Sequence, residues 1–107
     1  MKIDTHRVLQ EVRGTIADLQ ARGQLEPGVE AEDAQTASGV VEVRLSWDDE
    51  LFTLSMLKRY ASDYLATLDH SNGLTQSLIV DARNSWVNII RDCCLAEKGR
   101  REKDTRG

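Results

Sequence analysis

Apolar residues recur at steps of three and four positions in three stretches of this chain, and that spacing predicts amphipathic helices. The predicted helices span residues 5–22, 47–68 and 75–98. Asp4 is the expected N-cap of the first helix, and Gly23 is expected to end it. Thr75 is the expected cap of the third helix, with Leu74 packing beside it, and Gly99 is expected to end it. Trp86 lies at the centre of the third apolar stripe and is therefore predicted to be buried.

The second helix shows a start signal at Ser46, which can cap a helix whose first turn contains Asp48, Asp49 and Glu50. Acidic residues are favourable there because they face the positive end of the helix dipole. An apolar stripe follows at helical spacing. Its members are Trp47, Leu51, Leu54, Leu57, Ala61, Tyr64, Leu65 and Leu68.

Between the first two helices the helical pattern stops. Pro27-Gly28 indicates a turn, and the acidic residues after it predict a long exposed loop. Residues 40–45 alternate imperfectly in polarity and could form a short extended segment, but a lone strand has no pairing partner in a helical domain. A turn at Asp69 to Gly73 joins the last two helices, so the predicted fold is an all-α, small three-helix bundle.

The chain of 107 residues is long enough for one core, with 40% apolar and 30% charged residues. We expect a single helical domain over residues 1–98 and a flexible basic tail over 99–107. No apolar run approaches the roughly 20 residues of a membrane span. The N-terminus lacks an apolar signal region, so the cytoplasm is the expected location.

Negative charge is concentrated between Glu26 and Glu50, where eight carboxylates accompany one base, Arg44. Such a patch is typical of a surface that docks on a basic partner. The candidate partner-binding residues are Glu26, Glu30, Glu32, Asp33, Glu42, Asp48, Asp49 and Glu50.

No catalytic or cofactor motif accompanies this charge, so we predict neither enzyme activity nor a cofactor. Cys93 and Cys94 are adjacent, which disfavours an internal disulfide, and free thiols are expected, with Cys93 in the core and Cys94 at its margin. Zinc sites need about four ligands at suitable spacing. Because His6 and His70 are far apart in sequence, no metal site is predicted.

DNA binding is the first alternative. Residues 73–76 (Gly-Leu-Thr-Gln) resemble the entry to the first helix of phage-repressor-type helix-turn-helix domains. Such domains need a tight turn soon afterwards, yet the apolar stripe continues through Trp86. The net charge of -4 also opposes phosphate binding, so nucleic acid is not an expected partner.

Protein–protein interaction is the function that the sequence favours. Trp47, Phe52 and Tyr60 are expected to be exposed beside the acidic patch. In short length, net acidity, predicted helical fold and lack of a catalytic set, the chain resembles small acidic accessory proteins of phages and mobile elements, including anti-CRISPR proteins that block basic nucleic-acid-binding surfaces of Cas proteins. The resemblance is one of general character and transfers no residue. It implies an inhibitor that acts by occupying a surface of its partner. We expect an inhibitor or adaptor that docks on a larger basic protein, and we expect the chain to be a monomer or homodimer. A structural or assembly subunit that forms a homo-oligomer is the other alternative.

Overall fold

The computed structural model describes residues 3–70, 73 and 75–106, with side chains described up to Lys103. In chain order the elements are α1 (Thr5–Ala21), β1 (Val29–Ala37), β2 (Val40–Trp47), β3 (Glu50–Leu57), α2 (Lys58–Asp69) and α3 (Gln76–Arg106). The strands form an antiparallel sheet in the order β1-β2-β3, and the helices pack on one side of it. The fold is therefore α+β, and the prediction of an all-α three-helix bundle is wrong.

Helix α1 forms where the apolar spacing predicted it. The Asp4 carboxylate accepts a hydrogen bond from the Arg7 amide (3.2 Å) and so caps the first turn. Gly23, at a φ of 71°, follows the end of the helix as predicted. The buried face of α1 consists of Val8, Leu9, Val12, Ile16 and Leu19, and the helix packs chiefly on β1.

The segment predicted as a long acidic loop forms strand β1 instead, so that prediction is wrong. Ser38 and Gly39 have φ angles of 47° and 82°, and they make the two-residue turn of a hairpin between β1 and β2. The extended segment predicted at 40–45 is confirmed as part of β2. It has pairing partners on both sides because β1 and β3 flank it.

The second predicted helix is wrong over residues 47–57. Asp48 and Asp49 have φ angles of 52° and 68°, so they form the turn of a second hairpin, between β2 and β3. Two successive positive φ angles give a turn whose twist matches that of the strands. Ser46 pairs within the sheet and caps no helix, and helix α2 begins only at Lys58.

Trp86 of α3 is fully buried, as predicted, between the helices and above the sheet. Its ring stacks on Tyr64 of α2 with 4.2 Å between centroids. Its Nε1 donates a hydrogen bond to the Thr15 hydroxyl of α1 (3.0 Å). Trp86 thus contacts both other helices, and a buried indole needs such an acceptor for its N–H.

Helix α3 continues through Gly99 to Arg106, so the predicted end at Lys98 is wrong. Thr75 accepts a hydrogen bond from the Leu78 amide (3.4 Å), as expected of a cap. Because Gln76–Arg106 is one helix, the segment after Thr75 makes no helix-turn-helix. Ser71 and Asn72 of the predicted turn, and Leu74 at the predicted helix entry, lie outside the described residues.

The Cα atoms span 51 × 32 × 17 Å, and the smallest dimension corresponds to one layer of helices on one sheet. Within the described part of the chain, no helix combines the length and the apolar character that crossing a membrane requires.

Candidate docking face

One face of the sheet packs on the helices and the opposite face is open to solvent. In β2, Val41, Val43 and Leu45 are buried, whereas Arg44 between them is exposed. Because side chains alternate along a strand, the pairing register assigns each residue to a face. The open face consists of Glu30, Asp33, Gln35 and Ala37 from β1, Val40, Glu42, Arg44 and Ser46 from β2, and Leu51, Thr53, Ser55 and Leu57 from β3.

A bulge in β1 adds a fourth carboxylate to this face. The register shifts between Ala31 and Asp33, which leaves Glu32 as the extra residue. The Ser46 hydroxyl donates a hydrogen bond to the Glu32 carboxylate (2.5 Å), so Glu32 reaches the open face. Arg13 of α1 holds the bulge from behind, since its Nε donates to the Ala31 carbonyl oxygen (3.0 Å).

The open face therefore groups Glu30, Glu32, Asp33 and Glu42 around one cation, Arg44, among the residues that the structure describes. Asp33 pairs directly with Arg44 across the strands, while the half-buried Glu42 lies between Gln35 and Ser55. These polar groups surround a depression of about 80 Å³. A surface with surplus carboxylates attracts cationic groups and repels other anionic surfaces.

The other four predicted binding residues lie at the second hairpin and at the loop before β1, where the basic end of α3 engages three of them. Lys98 Nζ lies 3.2 Å from a Glu26 oxygen, and Arg101 Nη2 lies 3.3 Å from a Glu50 oxygen. Asp48 is 4.0 Å from Arg101 Nη1. The structure thus divides the eight predicted residues into an open acidic face and a hairpin end that α3 partly neutralises.

Glu97 organises this basic end and was not predicted from the sequence. Its side chain is almost fully buried, and it accepts hydrogen bonds from Arg100 (3.1 and 2.5 Å) and Arg101 (3.3 Å). The hydrogen bond from Arg100, followed by that from Arg101, lowers the pKa of the Glu97 carboxyl, although burial opposes this shift. The i, i+3 and i, i+4 spacing on a helix was the signal that could have indicated these pairs.

The aromatic residues predicted to be exposed lie against the core. Trp47, Phe52 and Tyr60 are half-buried and pack against the buried cluster under the sheet. Trp47 and Phe52 belong to the helix-facing side of their strands, which is why they are unavailable to the open face. The aromatic part of the predicted binding surface is therefore wrong.

Two leucines take the place of those aromatic residues. Leu51 is 61% exposed and Leu57 is 66% exposed, and both lie on the open face of β3. They lie near opposite ends of the strand, with Thr53 and Ser55 between them on the same face.

The thiols occupy places opposite to those predicted. Cys94 is buried and Cys93 is half-buried, with its sulfur 3.7 Å from the Thr53 carbonyl oxygen. Burial raises the pKa of Cys94 to about 12 and also raises that of Cys93, so both thiols stay protonated near neutral pH. In the part of the chain that the structure describes, no group of three or more His, Cys, Asp or Glu residues could hold a metal ion.

A groove of about 670 Å³ separates α1 from α3 on the helical side of the molecule. Its walls mix charges of both signs, with Glu11 and Asp18 on α1 and Arg83 and Arg91 on α3. Mixed signs do not select one class of charged partner, in contrast to the open face of the sheet.

Comparison with protein-family models, with curated proteins and with solved structures found nothing that matches this chain.

Proposed function

We propose that the chain is a non-enzymatic protein-binding module that docks the open face of its sheet on a basic surface of a larger protein. The observation that carries this proposal is the placement of Glu30, Glu32, Asp33 and Glu42 on one solvent-facing surface, where Arg44 is the one cation among the residues that the structure describes. Opposite charges speed encounter and suppress partners with like charge.

The rigidity of the face supports the proposal. The carboxylates lie on paired strands, and Arg13 and Ser46 fix the bulge that presents Glu32. A partner that binds such a preformed surface loses little conformational entropy in ordering it, unlike a partner that binds a mobile acidic loop. The charge pattern is thus available before the partner arrives.

Docking of this kind makes the module an inhibitor or adaptor. If the basic surface of the partner also binds nucleic acid, the acidic face competes for the same cations. This is the mode of action implied by the resemblance to anti-CRISPR proteins, and it remains part of the proposal.

The test compares two triple variants that change the net charge equally. Glu30→Gln, Asp33→Asn and Glu42→Gln neutralise the open face and keep Glu32, whose hydrogen bond supports the bulge. Asp63→Asn, Asp81→Asn and Asp92→Asn neutralise exposed carboxylates on α2 and α3. We expect capture of the partner from host lysate to fall about tenfold or more for the first variant only.

The partner captured by the unchanged protein should then associate more slowly as salt rises, because the screening length is only about 8 Å at 0.15 M salt. Equal capture by both variants, or loss in the helix variant alone, would contradict the proposed function.

A further inference from the structure

The open face carries two kinds of group in separate rows, and together they suggest the shape of the partner. The carboxylates lie on β1 and β2, whereas Leu51 and Leu57 lie on β3 at the opposite side of the same face. Neighbouring strands are about 4.8 Å apart, so the β1 and β3 rows are separated by roughly 10 Å. A partner that matches both rows presents cations along one side and apolar side chains along the other.

We infer that the occupant of this face is a basic amphipathic helix of the partner protein, lying along the strands. This inference rests on the proposed function. A helix with its side chains is about 10–12 Å wide, which matches the separation of the two rows. A helix on the open face would also cover the sheet on both sides, which is one of the stable layer arrangements of proteins.

The spacing of the leucines sets the length of that helix. Leu51 and Leu57 are six residues apart on β3, which corresponds to about 20 Å along a strand. A helix rises about 1.5 Å per residue, so it needs roughly four turns to contact both leucines. Its lysine or arginine side chains would lie over Asp33 and Glu42.

Charge opposes a second copy of this chain as the occupant. Among the described residues, two copies that met face to face would enclose eight carboxylates and only two arginines, Arg44 of each copy. Carboxylates gathered in one interface repel one another. The exposed leucines alone would permit self-association, but the carboxylates beside them oppose it.

The experiment uses synthetic peptides and the whole protein. The probe peptide is a helix of about five turns with leucines along one side and lysines along the flank beside it. The control peptide has the same composition in a scrambled order that has no apolar side. Binding is measured by fluorescence anisotropy, and self-association is measured by light scattering.

Two matched double variants separate the leucines of the face from other exposed leucines. Leu51→Ser with Leu57→Ser changes the open face, and Leu78→Ser with Leu95→Ser changes leucines of α3 that are 54% and 50% exposed. We expect the first variant to bind the probe peptide about tenfold or more weakly, through faster dissociation, and the second to bind it normally. The scrambled peptide should bind weakly to every variant.

The outcomes distinguish this inference from the proposed function. Neutralising Glu30, Asp33 and Glu42 could weaken binding of both peptides equally while the leucine variants have no effect. That result would contradict an amphipathic helix as the occupant but would still support an acidic docking face. If neither the carboxylate variant nor the leucine variant of the open face changes peptide binding, both proposals are wrong. If the unchanged protein self-associates and the double variant Leu51→Ser with Leu57→Ser does not, the occupant of the face is a second copy of this chain and the inference is overturned.

Discussion

The guanidinium carbon of Arg101 lies 4.3 Å from the centre of the Trp47 ring, and Arg101 also donates a hydrogen bond to the Trp47 carbonyl oxygen. This contact joins the last turns of α3 to the second hairpin, 54 residues away in the chain. The Arg101 side chain is 19% exposed, so solvent screens the contact only in part. The basic end of the chain is therefore held against the acidic hairpin, at a distance from the open face.

The first prediction is that these two residues are energetically coupled. A double-mutant cycle with Arg101→Lys and Trp47→Leu should give a coupling of about 0.5–2 kcal/mol in the free energy of unfolding, because lysine cannot keep both the stacking and the planar hydrogen bond. Urea unfolding measures it. Arg83→Lys in the same cycle with Trp47→Leu is the control and should show no coupling, since Arg83 lies in the α1–α3 groove.

The second prediction concerns the pH dependence of stability through Glu97. Its pKa is lower in the folded protein than in the unfolded chain, so its contribution is complete above the unfolded value of about 4.3 and is lost as the pH falls through the folded pKa. At neutral pH, Glu97→Gln should reduce stability by about 1.5–3 kcal/mol, the usual effect of losing hydrogen bonds to a charged group. The difference from the unchanged protein should shrink below about pH 4.3.

Denaturant unfolding at several pH values tests this expectation. Glu102→Gln, an exposed carboxylate on the same helix, is the control and should leave the pH profile unchanged. A difference between Glu97→Gln and the unchanged protein that stayed constant down to pH 3 would contradict the assigned role of the carboxylate.

Helices α1 and α3 could be predicted because one side of each packs on the core over many turns. Val8 to Leu19 keep helical spacing without interruption, and so do Trp86, Ile90 and Cys94. Long periodic segments are the part of a sequence from which structure is read most securely. The buried position of Trp86 followed from the same pattern.

Strand β3 could not be recognised because its open face carries leucines. A half-buried strand should alternate between apolar and polar residues, but Leu51 and Leu57 put apolar side chains on the solvent side. Together with Leu54 they recur every three residues and so imitate one side of a helix. Asp48 and Asp49 added to the error, since acidic residues suit a helix start as well as a turn with positive φ.

Strand β1 was missed because its composition is poor in strand-forming residues and the bulge at Glu32 breaks its alternation. The Ser38-Gly39 pair before an apolar run was the signal that could have revealed the hairpin. With β1 and β3 absent from the prediction, the eight carboxylates could not be divided between an open face and a hairpin end.

The third prediction uses glycine substitutions to test two segments whose structure was predicted wrongly, the end of α3 and the hairpin between β1 and β2. Gly99 lies inside α3 with no atom within 4 Å of an added Cβ, so Gly99→Ala should stabilise the protein by about 0.5–1 kcal/mol. Gly39 has a φ of 82° in the first hairpin turn, and Gly39→Ala should destabilise by about 1–2 kcal/mol. Thermal unfolding measures both changes.

Gly14→Ala, in the interior of α1 with open space around it, is the matched control and should stabilise as Gly99→Ala does. Destabilisation by Gly99→Ala would mean that α3 ends at Gly99, as the sequence had suggested. A stabilising Gly39→Ala would argue against the hairpin.

The last prediction concerns the hydrogen bond that links α1 to Trp86. The Thr15 hydroxyl donates to the Glu11 carbonyl oxygen (2.9 Å) and accepts from Trp86 Nε1 (3.0 Å). Thr15→Val keeps the shape of the side chain but leaves the indole N–H buried without an acceptor, at a cost of about 1–3 kcal/mol. Trp86→Ala, which removes the ring itself, should cost about 3–5 kcal/mol.

Thr67 provides the matched control, because its hydroxyl also donates to a carbonyl oxygen one turn earlier, that of Asp63, at 2.9 Å. Thr67→Val should therefore lower stability by less than Thr15→Val does. Thr15→Ser should retain most of the stability that Thr15→Val loses, because the serine hydroxyl can still accept the hydrogen bond from Trp86. Unfolding in urea separates these cases. If Thr15→Val and Thr67→Val had the same effect, the hydrogen bond to Trp86 would contribute nothing measurable to stability, and Trp86 would act through packing, including its stacking on Tyr64.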